Sequence, residues 1–186
     1  MTSHDDTSFS APAVVDFWRQ AGPQKWFKKD EAFDAQFKAR FEAAHEAAAG
    51  GALDAWAADA QGALALLLLL DQFPRNVFRN SPRTYATDGK ALAIARQAVD
   101  AGLDRQIDDP ALRAFFYLPF MHSESLADQD RSVQLCQHAG PENLRFAKHH
   151  RDIVARFGRF PHRNALLGRQ STPQEQQFLR EGGFAG

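Results

Sequence analysis

Along most of the chain, apolar residues recur at steps of three and four, the spacing of an amphipathic helix. Val14, Phe17 and Trp18 share a face behind Ser10 and Pro12, and Phe33, Phe37, Phe41 and His45 form a ladder behind Asp30, a capping residue. Gly50-Gly51 ends that second helix. Residues 61–73 are apolar nearly all round, which predicts a third helix at the centre of the fold, stopped by Pro74. A fourth helix opens at Asp88 and closes at Gly102. Asp109-Pro110 caps a fifth, reaching about Phe120, and Ser123 caps a sixth, reaching about Ala139. A seventh runs from Glu142 to about Phe157, with Gly158 as its terminator. Thr172-Pro173-Gln174-Glu175 is a capping box that starts a last helix. No strand-like alternation with hairpin turns interrupts this pattern. The expected fold is all-α, with about eight helices in antiparallel pairs. Residues 12–186 form one domain behind a loosely ordered tail, residues 1–11.

The same periodicity sorts the polar side chains. Asp71 falls on the face of Leu64, Leu67 and Leu68, where an ionised carboxylate needs a partner. His150 lies on the stripe of Phe146, Ile153 and Phe157, whereas His149 falls with Arg145, Asp152 and Arg156 on the polar side. Gln129 points inward with Leu126, Val133 and Cys136, and Cys136 reads as a core thiol.

Composition adds exclusions. The 186 residues carry a net charge of −1, so no overall field invites nucleic acid or a membrane surface. A single cysteine rules out an internal disulfide and a cysteine-based zinc knuckle. The longest apolar run, Ala63 to Leu70, is far shorter than the roughly 20 residues that span a bilayer. The polar start of the chain is no signal peptide, and a cytoplasmic location is expected. Arginine outnumbers lysine 16 to 6, a bias suited to fixed contacts with carboxylate or phosphate. Trp26 and Phe27 are candidates for an exposed aromatic surface that would make a homo-oligomer.

Two stretches concentrate chemistry. Tyr117 to Glu124 places His122 at a helix junction with Glu124 in the next turn, an arrangement able to move a proton or bind a metal. Arg156 to Asn164, followed by Gly168-Arg169, interleaves arginines with aromatic residues and prolines. These arginines either clamp an anion or pair internally with Asp71 or Glu124. Phe73-Pro74-Arg75-Asn76 and Phe160-Pro161-His162-Arg163-Asn164 echo one another, which chance explains.

Leu70 to Asn76, Leu118 to Glu124 with Gln129, and His150 to Ile153 running into Arg156–Asn164 and Gly168-Arg169 resemble the bacterial "domain of unknown function 924" family. Val15-Asp16-Phe17-Trp18, Trp26-Phe27, Asp34, Arg40-Phe41 and Leu53-Asp54-Ala55-Trp56 agree, so the resemblance covers about residues 12–184. It implies an all-α array similar to a tetratricopeptide-like superhelix, and no established reaction or cofactor. It also implies that Asp71, Gln72, Arg75, Asn76, His122, Glu124, Gln129, His150, Arg159, His162, Arg163, Asn164 and Arg169 are family features.

Three functions follow. The first is an enzyme or binder for a small anionic molecule. His122, Glu124, His150 and Asp71 would be catalytic; Gln72, Arg75, Asn76, Gln129, Arg159, His162, Arg163, Asn164 and Arg169 would bind ligand. Hydrolysis by histidine acid–base chemistry fits that set. The second is a non-enzymatic helical interaction module in which the same residues form a buried network. The third is a metal site built from His122, Glu124, Asp71, His150 and His162, weakened by the arginines nearby. The cofactor is unspecified.

Overall fold

The computed structural model describes residues 9–184, and the expected tail, residues 1–8 of it, lies outside them. The described part of the tail is ordered: Ser10 caps a helix that already includes Ala11. The fold is all-α, with no strand among the described residues. In chain order the helices are α1 (Ala11–Ala21), α2 (Pro23–Trp26), α3 (Glu31–Ala49), α4 (Ala60–Leu67), α5 (Phe73–Val77) and α6 (Asp88–Asp100). They continue as α7 (Pro110–Arg113), α8 (Leu118–Met121), α9 (Leu126–Cys136), α10 (Pro141–Phe157) and α11 (Pro173–Arg180).

Local signals set most boundaries. Asp30, Asp109 and Thr172 accept backbone N–H groups at the starts of α3, α7 and α11, and Thr172 and Glu175 complete the capping box. Gly158 ends α10 in the left-handed conformation, φ 71°, which a side chain would resist. Three expectations fail. The fifth helix is broken into α7, a 3-10 turn (Ala114–Phe116) and α8. Ser123 does not cap α9, which starts at Leu126; its Oγ donates to Asp128 and accepts from the Ser125 N–H. Leu126 and Phe146 lie outside the core, 42% and 41% exposed.

A fourth expectation, that Pro74 stops the helix, fails as well. The chain does not stop there. Leu68–Gln72 form a π turn that joins α4 to α5, with the Phe73 N–H donating to the Leu68 carbonyl. The wider turn accommodates proline, which offers no N–H of its own. Side chains meet the carbonyls along it: His45 Nδ1 at Leu69 O (2.8 Å), Thr87 Oγ1 at Leu70 O, and Arg75 Nη1 at Asp71 O (2.9 Å).

This α4–π–α5 path is the hub. Every residue from Gly62 to Pro74 is buried. It packs against α1, α3 and α6, while α9 and α10 form a helical hairpin beside α8. Phe17 of α1 stacks on Phe33 and Phe37 of α3 at centroid distances of 5.3 and 5.5 Å. Trp26 is buried against Trp18 and donates its Nε1–H to Trp18 O at 2.7 Å, so only Phe27 of the expected aromatic surface is exposed.

Candidate functional site

The π turn fixes where the first motif residues point. Asp71 is enclosed: its Oδ1 accepts from His122 Nδ1 at 2.7 Å and lies 3.2 Å from Arg75 Nη1, and its Oδ2 accepts from Gln72 Nε2 at 2.7 Å. Burial alone would raise its pKa; the Arg75 charge and the bonds from His122 and Gln72 outweigh burial and hold the carboxyl well below the usual range. His122 follows the last turn of α8, with 16% of its side chain exposed. Burial and the Arg75 charge lower its pKa against the pull of Asp71. The ring is therefore neutral near pH 7. An ionised carboxylate only accepts, so Nδ1 carries the proton and Nε2 keeps a lone pair.

Two guanidinium groups frame this pair. Arg75 grips Asp88 through two bonds of 2.8 and 3.0 Å, and burial fails to lower its pKa against Asp71 and Asp88, which raise it. Arg163 is buried between the rings of Tyr85 (4.5 Å) and Phe160 (4.6 Å) and donates to the His122 carbonyl at 2.9 Å. Its Nη1 lies 3.5 Å from Asp88, its Nε has no hydrogen-bond partner among the described residues, and burial followed by the Arg75 charge lowers its pKa.

The remaining motif residues divide into neighbouring groups. Glu124 accepts from Arg169 at 2.7 and 2.9 Å and from the Phe160 N–H at 2.8 Å; against burial, these bonds lower its pKa. Asn164 links Arg169 to Glu175 and Ser171. Arg159 pairs with buried Glu175 at 2.6 and 2.8 Å, which holds that carboxyl down to about 2. Asn76 faces the other way, donating to Asp34 of α3 at 2.8 Å. Gln129 spends its amide on the carbonyls of Met121 (2.7 Å) and Ser123 (2.6 Å), pinning the turn that carries His122.

His150 is inward as its periodicity predicts, yet it does not bond the Asp71–His122 pair. Its Nδ1 donates to Phe146 O at 2.8 Å, and the ring packs against Phe184 (4.6 Å) and Phe160 (5.6 Å). Burial pushes it down to about 3. His162 packs on the same Phe184 at 5.1 Å and is pushed down to about 4, by burial first and the Arg163 charge second. The expected catalytic four are thus split: Asp71 with His122, Glu124 with Arg169, His150 apart. Among the described residues, no three His, Cys, Asp or Glu side chains are grouped as a metal would require.

Sequence reasoning missed Asp88 and Tyr85. Asp88 reads as an ordinary acidic residue in a first helical turn, and nothing local marks it as the shared partner of Arg75 and Arg163. Tyr85 lies in a short 3-10 turn with no periodicity to place it.

The chain belongs to a bacterial protein family: residues 14–183 match the model described as "Bacterial protein of unknown function (DUF924)". A solved structure of a protein of unknown function from Agrobacterium tumefaciens is similar at 53% identity, with a TM-score of 0.90 over 92% of this chain and 97% of that one. No curated protein matches the chain.

Proposed function

We propose that this protein binds, and chemically transforms, a small molecule carrying one acidic group, with His122 Nε2 as proton acceptor. The observation that carries this reading is the Asp71–His122 pair on a π turn: a buried carboxylate orients a neutral imidazole whose second nitrogen is left with a lone pair. π turns inside helices recur at functional sites. Around the pair, Arg75, Arg163 and Arg169 balance Asp71, Asp88 and Glu124, so a singly charged carboxylate suits the site better than a phosphate. His122 is the base, Asp71 its orienting group, and Arg163 the positioning cation. The cytoplasm is the proposed location.

A second reading, the helical interaction module, draws on one observation: Arg75, Arg159 and Arg169 are each already paired with a carboxylate inside the chain. Thermal shift against a panel of small carboxylic acids separates the two. Under the first reading, a stabilising acid loses its effect in His122→Asn while the unliganded variant stays folded. A panel in which no stabilising acid depends on His122, or which stabilises nothing, overturns it in favour of the second.

A further inference from the structure

A cleft of about 620 Å³, in the size range of small-molecule sites, lies away from His122 between the end of α6, the turn at Asp104–Gln106 and α9. It shares no residue with the site above. Asp104 lines it and is 4% exposed. One of its carboxylate oxygens, Oδ2, accepts from Tyr117 Oη at 2.9 Å; the other, Oδ1, is buried with no hydrogen-bond partner among the described residues. Burial and the neighbouring Asp104 raise the Tyr117 pKa, so the phenol keeps its proton and its donor role is fixed. A buried acceptor left unmet costs about 1–3 kcal/mol, which a donor entering the cleft would recover.

The cleft also holds a cation to spare. Arg131 pairs with Asp100, and Arg113 spends Nε and Nη2 on the Ile107 carbonyl. Arg105 is exposed and pairs with no carboxylate among the described residues. Three arginines against Asp100 and Asp104 leave an excess of one positive charge. Val99 and Leu135 supply apolar wall.

We infer that this cleft binds a small 2-hydroxycarboxylic acid, its hydroxyl donating to Asp104 Oδ1, its carboxylate pairing with Arg105 and its apolar tail lying against Val99 and Leu135. The inference does not rest on the His122 reading.

Isothermal titration of the full chain with 3-phenyllactate tests it, with 3-phenylpropionate as the same acid lacking the hydroxyl. Phenyllactate binds at least about tenfold more tightly, the ~1.4 kcal/mol that one satisfied buried acceptor is worth. Arg105→Ala, at an exposed position, weakens phenyllactate about tenfold or more and leaves the fold intact. Asp104→Asn abolishes the preference for the hydroxyl, and His122→Asn leaves binding unchanged. No binding of either acid, equal binding of both, or full affinity in Arg105→Ala overturns the inference. Loss of binding in His122→Asn would place the acid at the other site and overturn it too.

Discussion

Acid should weaken this fold through His150, and the size of the effect can be worked out. Its ring is enclosed by Phe160 and Phe184, Nδ1–H donates to Phe146 O, and its charged neighbours are other imidazoles, His122, His149 and His162, whose protonation would only add repulsion. The folded pKa is pushed down to about 3, against ~6.5 for a free imidazole. Because the folded value is the lower, folding selects the neutral form. The stabilisation is complete above about pH 6.5 and is lost as pH falls below it, since the unfolded chain takes up a proton that the folded chain refuses. At ~1.4 kcal/mol per pH unit, His150 alone withdraws about 2 kcal/mol between about pH 7 and pH 5. His162, pushed down to about 4, acts with the same sign. Urea unfolding of wild type and His150→Asn at both pH values isolates the term, because the asparagine amide can still donate to Phe146 O but does not titrate. Wild type should lose about 2 kcal/mol more than the variant over that interval. Equal losses would refute the reasoning and mean that His150 is protonated without unfolding.

Two further perturbations probe the hub and the pair. Gly62→Ala puts a Cβ 2.1 Å from the Trp56 carbonyl oxygen, a backbone atom that cannot swing aside; a loss of about 3 kcal/mol or more is expected in urea melts, and a neutral result would show that the α4 entry is pliable. Asp71→Asn keeps an acceptor for His122 but removes the charge that favours its protonated form, so the His122 pKa should fall further in an NMR titration, with about 2 kcal/mol lost in stability; an unchanged His122 titration would contradict the assigned pairing.

Helical periodicity made much of this legible. It distinguished buried His150 from exposed His149, put His45 and Cys136 inside, and identified the hub from a run apolar on all sides. It failed where geometry departs from a regular α-helix. Pro74 reads as a terminator only if the turn before it is α-helical, and the π turn removes that premise. Leu126 and Phe146 share inward stripes with buried residues, but burial also needs a facing element, which periodicity alone does not supply. The arginines were the hardest to apportion. Arg169 does pair with Glu124, as internal neutralisation requires, yet Arg159 takes Glu175 and Arg75 takes Asp88, partners separated from them by 16 and 13 residues. Nothing in a one-dimensional pattern links such residues; only tertiary closure brings them together.

The π turn has a consequence for how the molecule assembles. Its carbonyls are held by His45 from α3, Thr87 at the threshold of α6 and Arg75 from α5, and its Asp71 by His122 from beyond α8. No contiguous fragment of the chain short of His45 to His122 contains all four. The irregular turn therefore cannot persist as a local structure waiting for its neighbours; it exists only when segments nearly eighty positions apart (residues 45–122) have docked. Amides along it should exchange through whole-molecule opening rather than local fraying, making the π turn part of the cooperative unfolding unit.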